Sequence, residues 1–438
     1  MKRQGTADLP LHQGRVPRWL SDRMARLGVA ITQAIVENEG TKGFLQRLSN
    51  PLWFQALGTV MGMDWHSSGI TTSVMGALKK GLTPRAGELG LAICGGRGRY
   101  SKRVPDELLD WSSRYGLDGT ELVRSSRLSA KVDNGCVQDG FSIYLHAFAV
   151  DAEGRWSVVQ QGMSPQRGLA RRYHWSSSQL QSFVDDPHAG IVGTHEGLLV
   201  NLADHQALPA RESILDFSAQ DPAKQLTELR QVMASRPISS GFQNDLKTPA
   251  QGEHVTLPQR HDIRPQDIDA GRLGAVLALA WELQPPDFED LLLLEGLGPR
   301  TLQSLALVSE VVYGKPSRFT DPARFAFAHG GKDGHPFPVP LEVYDRTIST
   351  LETALNRSSG IDHSEKRAAF QRLHHAARQL EIQSAPQANV DAAMERERQL
   401  SPQWGGRSIF GPAGVPIPDQ NAHDSKQDSS QLSLFDQE

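Results

Sequence analysis

Apolar residues recur at three- and four-residue spacing along most of the chain, and in two-residue alternation over one central stretch. Trp19, Met24, Leu27, Ile31 and Ile35 share one face and predict a helix from Pro17 to about Asn38. Thr41–Leu48 and Pro51–Met61 predict two short helices, and a further helix runs to Leu82. Glu88–Cys94 reads as a strand and residues 106–130 as helical. From Lys131 to Asn201 the pattern changes to mixed sheet. Phe141–Phe148 alternates, and Arg155–Gln161 is its hairpin partner across Asp151–Gly154. Alternation puts Tyr144, His146 and Phe148 on one face. Gly190–Val192 and Leu198–Asn201 predict a second short strand pair. Residues 206–285 are mostly helical and end in the apolar helix Leu273–Leu283. Leu341–Leu355 and Ser364–Leu380 are helices. Beyond Ser384 large apolar residues become rare, which predicts a disordered tail. The expected class is α+β in four regions: helical 1–82, mixed 83–205, helical 206–383 and tail 384–438.

One stretch carries more than periodicity. Phe288–Leu294 predicts a short helix, Glu295–Gly298 a tight turn, and Pro299 the first residue of a second helix. Leu302, Leu305, Val308 and Val312 line that helix, which Gly314 ends. A Gly-x-Gly turn leaves backbone N–H groups free at the second helix's start, where the helix dipole favours an anion. Gly296, Leu297, Gly298, Arg300 and Thr301 are therefore candidate phosphate contacts. An ordinary helical hairpin, with glycines for tightness, is the alternative. The run Leu294-x-Gly-x-Gly-Pro-Arg-Thr301 resembles the helix-hairpin-helix motif of DNA repair proteins. That resemblance implies a grip on the DNA backbone without sequence readout.

Composition narrows the field. At 438 residues, 38% hydrophobic and 22% charged, the chain has material for two or three globular domains. A net charge of −4 does not by itself point to nucleic acid. Two cysteines, Cys94 and Cys136, exclude a disulfide framework or an all-cysteine zinc site and suit a reducing compartment. No apolar run is long enough for a membrane span and the N-terminus has no signal core, so the expected location is cytoplasmic. The local charge is uneven: Gly95–Arg103 is glycine-rich and basic. Arg97 and Arg99 there are candidate DNA-phosphate contacts, or members of a solvated loop.

The densest polar constellation is Lys131–His188. Lys131, Asp133, Asp139, His146, Gln161 and His174 are candidate catalytic residues. Asp133 and Asp139 flank the start of the strand that bears His146, so these three are candidate ligands for a divalent metal, Mg²⁺ or Mn²⁺, in a nuclease. Arg171 and Arg172 would hold the DNA phosphate. No His-x-Glu or His-x-x-x-His spacing marks a metal site, and a polar sheet face with capping aspartates is the alternative. Asp64 with His66, and His254 with His261, are weaker pairs in turns or loops.

Three resemblances extend the reading. The segments GTADLPLHQGRVPRWL, FQALGTVMGMDWHSSG, SRLSAKVDNGCVQDG, ARRYHW and FAFAHGGKDGHPFPV resemble domain of unknown function 763, a prokaryotic family, over about residues 3–357. The hairpin and its sequel are similar to helix-hairpin-helix DNA glycosylases, which implies a catalytic aspartate at Asp321. Arg300 stands where that family has its lyase lysine, and a guanidinium cannot form a Schiff base. The C-terminal Gln431-Leu432-Ser433-Leu434-Phe435 resembles the bacterial sliding-clamp-binding peptide, implying the clamp as a partner. The expected function is a DNA-binding protein of repair or replication: a metal-dependent nuclease recruited by the clamp, a non-catalytic adaptor, or a glycosylase-like enzyme using Asp321.

Overall fold

The computed structural model describes residues 9–10, 18–63, 69–165, 167–193, 195, 197–225, 227, 270–323, 341–357, 360–383, 407–408 and 411–412. Asp64, His66, His254, His261 and the peptide Gln431–Phe435 lie outside the described residues. The architecture is α+β. Its centre is an antiparallel sheet in the order β1-β5-β4-β3-β2, with β6 also on β5. These strands are β1 (Leu9–Pro10), β2 (Leu91–Arg97), β3 (Ser142–Asp151), β4 (Trp156–Ser164), β5 (Leu169–Ser176) and β6 (Gly190–Val192).

Two apolar layers cover the sheet. One holds α1 (Arg18–Leu48), α2 (Pro51–Val60) and α3 (Gly69–Leu82), together with two late helices, α11 (Leu341–Arg357) and α12 (His363–Gln383). Its core joins Met24, Ile31 and Ile35 to Leu145, Ala147 and Val159 of the sheet and to Leu351, Leu355 and Leu373. The other layer holds α5 (Val104–Tyr115), α6 (Gly119–Lys131), α7 (Leu208–Ser218), α8 (Ala270–Leu283), α9 (Phe288–Leu293) and α10 (Pro299–Val311). These pack Leu128, Ile214, Leu277, Leu291 and Leu305 with Phe148, Val158 and Trp175. Strand alternation explains the division, because neighbouring residues of one strand feed opposite layers.

Local chemistry sets the element ends. Asn50 accepts from the N–H groups of Leu52 and Trp53 and so caps α2, whose first residue is Pro51. Asp118 does the same for α6 through Thr120 and Glu121. The helices expected at 17–38 and 41–48 form one run, broken at Gly40 by a non-helical backbone.

Three sequence expectations need correction. Glu88 lies in α4 (Ala86–Leu89), and the strand runs later, over Leu91–Arg97. The segments 190–192 and 198–201 do not pair with each other. Strand β6 joins β5, while β7 (Leu198–Val200) pairs with β8 (Arg318–Thr320). Tyr144 also leaves the face of His146 and Phe148. A register shift between Ile143 and Leu145 displaces it, and it packs with the α1–α3 layer.

Cys94 and Cys136 are free and buried. Burial pushes the Cys94 thiol up to about 12, so it is inert. Among the described residues no helix is long and apolar enough to cross a membrane.

Gly95 sits in β2 with φ +83°, and a Cβ there would lie 2.4 Å from both the His146 carbonyl oxygen and Val104 Cγ2. Both the positive φ and the backbone contact oppose a side chain. Gly95→Ala is expected to lower stability by about 2–4 kcal/mol. Urea denaturation followed by far-UV circular dichroism measures this.

Candidate functional site

Helix α6 does not end in an ordinary turn. After Lys131 the chain widens into a π-turn, Val132–Cys136, closed by the Val137 N–H on the Val132 carbonyl at 3.2 Å. The extra residue turns Asp133 inward beneath the sheet. It also leaves Gly135 facing Pro299 and Leu302 of the hairpin. The π-turn therefore touches both regions in which the sequence placed chemistry.

Beneath the sheet, Asp133 is the hub of a buried chain. Its Oδ2 accepts from Gln160 Nε2 at 2.6 Å and Trp175 Nε1 at 2.9 Å, and its Oδ1 faces His188 Nε2. Gln160 Nε2 also donates to the Ser129 carbonyl. Its Oε1 therefore accepts, and His146 Nδ1 must be the donor at 2.9 Å. His146 Nε2 then accepts from Ser126 Oγ at 2.8 Å. Burial lowers the His146 pKa to about 4, which agrees with this neutral tautomer. Burial pushes the Asp133 carboxyl up, against the opposing pull of His188.

A second cluster surrounds Arg171. Asp139 Oδ2 accepts from Arg171 Nη1 at 2.9 Å and from Tyr173 Oη at 2.6 Å. Asp321 takes the same guanidinium in a fork, with contacts of 3.0 and 2.8 Å. Burial pulls the Arg171 pKa down, but Asp321 and Asp139 hold it well above its ordinary value. Burial raises the Asp139 carboxyl to about 6 despite Arg171.

The opposite face has its own polar core. Arg172 donates to His174 Nε2 at 2.8 Å and to Gln55 Oε1 at 2.8 Å, and its guanidinium lies 4.6 Å from the Phe54 ring centroid. His174 Nδ1 meets the Leu48 carbonyl at 3.2 Å. Burial pulls the Arg172 pKa down to about 9 and the His174 pKa well below its ordinary value.

The expected constellation is thus divided. Register places His146, Gln160 and Tyr173 in one row and Leu145, Gln161 and Arg172 in the next. Gln161 and His174 therefore lie across the sheet from Asp133 and His146. The metal set Asp133, Asp139 and His146 does not converge. Gln160 stands between the first and the last, and Asp139 belongs to the Arg171 cluster. Among the described residues, the group of three such donors within mutual reach is Asp186, Asp204 and His205, drawn from two segments, with Asp204 buried and His205 exposed. Arg171 and Arg172 point to opposite faces and are fully buried, so they form neither a phosphate pair nor a DNA surface. Asp321 is 1% exposed with both carboxylate oxygens on Arg171, an ion-pair partner where the glycosylase resemblance implied a pocket-facing base. His188, Gln160, Tyr173 and Trp175 complete these networks. The alternation of Arg171-Arg172-Tyr173-His174-Trp175 was the signal that separates their faces.

The hairpin has the expected local form. Leu294, Leu297, Leu302 and Leu305 are buried, anchoring both helices in the core. Gly296 takes φ +80° in the turn, and Gly298 precedes α10 with no side-chain cap. The N–H groups at the start of α10 thus receive no capping side chain. Lys131 Nζ donates to the Leu297 carbonyl at 2.6 Å and Gln138 Nε2 to the Pro299 carbonyl at 3.3 Å. Burial lowers the Lys131 pKa. Arg300 is exposed and Thr301 nearly buried. Arg97 and Arg99 are exposed near the end of β2.

Two expectations follow from the buried clusters. Asp321→Ala leaves Arg171 only partly compensated and should cost about 3–5 kcal/mol, read from urea midpoints. His146 has a folded pKa of about 4 against an ordinary 6.5. The unfolded chain binds the proton first as pH falls. The contribution of His146 is therefore complete above pH 6.5 and is lost as pH drops towards 4, by about 3 kcal/mol. The pH dependence of unfolding between these limits should flatten in His146→Gln.

No curated protein and no solved structure matches the chain. A family model described as "Protein of unknown function (DUF763)" matches residues 5–339. That match spans the N-terminal and central segments that carry the resemblance, and the chain belongs to the DUF763 family.

Proposed function

We propose that this protein binds the DNA backbone without sequence preference and is brought to replication or repair sites by the sliding clamp. The observation that carries the first part is the hairpin. Gly296–Gly298 delivers an uncapped helix start, Lys131 bonds the turn from below, and Arg300 stands exposed beside it. N–H groups without a capping side chain, a helix dipole and the exposed Arg300 cation suit a phosphate diester and carry no base readout. Support for the second part comes from Gln431–Phe435: three large apolar side chains for a groove and a glutamine for register. The preceding polar segment would serve as a tether that raises local concentration.

Of the functions weighed from sequence, the DNA-binding adaptor fits best. A metal-dependent nuclease built on Asp133, Asp139 and His146 needs those side chains to converge, and each instead has its own internal partners. A glycosylase-like role for Asp321 needs a carboxylate turned to substrate, and Asp321 is turned to Arg171.

Arg300→Ala should weaken binding by a similar factor on unrelated duplex sequences. It should reduce the salt slope by about 0.9 for a lost phosphate contact. Fluorescence anisotropy over a salt series measures both, and an unchanged slope would sink the hairpin reading. Deleting residues 431–438 should abolish capture on immobilised bacterial sliding clamp while DNA affinity persists. Equal capture of the truncated and full chains would refute the clamp peptide.

A further inference from the structure

The hairpin leaves a second cationic surface unexplained. Strand β2 ends at Arg97, and residues Gly98–Arg103 form a 3₁₀ coil before α5. Arg97, Arg99, Lys102 and Arg103 are all exposed. Between them Tyr100 is 43% exposed. The Arg99 and Arg103 guanidinium carbons lie 5.3 and 5.4 Å from its ring centroid. The root of the coil is held in place. Glu107 accepts from the Gly95 N–H at 2.6 Å and from Lys79 Nζ at 2.7 Å, and Lys79 also donates to the Gly95 carbonyl at 2.8 Å. Within the coil, Ser101 Oγ donates to the Gly98 carbonyl at 2.6 Å.

A site for phosphates alone needs cations and no aromatic ring. Arg99 and Arg103 are long exposed side chains over the Tyr100 ring, and a guanidinium that swings from the ring to a flanking phosphate leaves the phenol face as a flat platform for a nucleobase. Inside a duplex both base faces are covered by stacked neighbours, whereas an unpaired base can swing out and present a face to a side chain. Placement links this coil to the hairpin. Arg97 pairs with Leu145 near the start of β3, and Asn134 of the π-turn accepts from the Ile143 N–H at 3.5 Å. The hairpin rests on that same π-turn. Coil and hairpin turn therefore lie towards the same end of the sheet.

We propose that the Gly98–Arg103 coil holds an unpaired nucleotide of the DNA whose duplex part the hairpin grips, with Tyr100 as the stacking platform. The substrate class is then a duplex with a single-stranded extension. This rests on the DNA-backbone reading above and adds to it a preference and a second contact point.

The test uses the full chain and three probes: a blunt duplex, the same duplex with an extension carrying 2-aminopurine, and the extension strand alone. The extended duplex should bind about 5- to 150-fold more tightly than the blunt one, the range expected for one stacked base. The 2-aminopurine fluorescence should be quenched on binding. Tyr100→Ala should lose both effects, and Tyr100→Phe should keep them. If folded Tyr100→Ala retains the preference and the quenching, the proposal is overturned. If blunt duplex binds through Arg300 and the extension adds nothing, the proposal falls while the backbone reading stands. If blunt duplex does not bind but the extension strand binds with Tyr100-dependent quenching, the hairpin reading falls and the coil site remains.

Discussion

The structure depends on one guanidinium taken out of water. Arg171 stands in the interior of the sheet, bonded to Asp139 on one side and forked onto Asp321 on the other. An isolated buried charge is prohibitively costly, so this arginine holds its place only if both carboxylates arrive. Asp139 comes from the loop between the π-turn and β3, and Asp321 from the residue after β8. Three segments, the last of them 150 positions beyond Arg171, are thereby required to meet at one point. The pairing of β7 with β8 brings Asp321 there. The same loop geometry sets Asp133 beneath Gln160 and Trp175, and Lys131 against the hairpin.

Elements whose apolar residues face one side only were legible in the sequence. The periodicity of Met24, Leu27, Ile31 and Ile35 is that of a helix, and all four are buried. The hairpin was legible for a different reason. Gly296 permits the positive φ of the turn and Pro299 fixes the first helical residue, so the turn needs no distant partner to be recognised. Strands β3 and β4 were close to their expected bounds, whereas β6 and β7 were given each other as partners. Three-residue strands carry almost no register information, and their partners are chosen by the tertiary fold.

The candidate site misled for an informative reason. Aspartate, histidine and arginine crowded into one stretch suggest chemistry, because such groups are expensive to bury. Here they are buried nonetheless, and they satisfy one another. Composition alone does not distinguish a catalytic cluster from a polar core. Strand alternation does, since Arg171 with Tyr173 and Arg172 with His174 must part to opposite faces. The widened turn at Val132–Cys136 had no sequence signature, yet it decides where Lys131 and Asp133 point.

The layer formed by α1–α3 is completed by α11 and α12, which arrive some three hundred residues later. Leu351, Ala354, Leu355, Ala369 and Leu373 close over a surface made of Met24, Ile31 and their neighbours. A ribosome making this chain exposes the first helices long before their cover exists. During that interval their apolar face is open to solvent, to other nascent chains and to chaperones. Contacts of such sequence separation also carry a loop-closure cost before they contribute any burial, which slows the search. The order of synthesis and the order of packing are thus opposed in this protein, and these two late helices act as the closing step of its first domain layer.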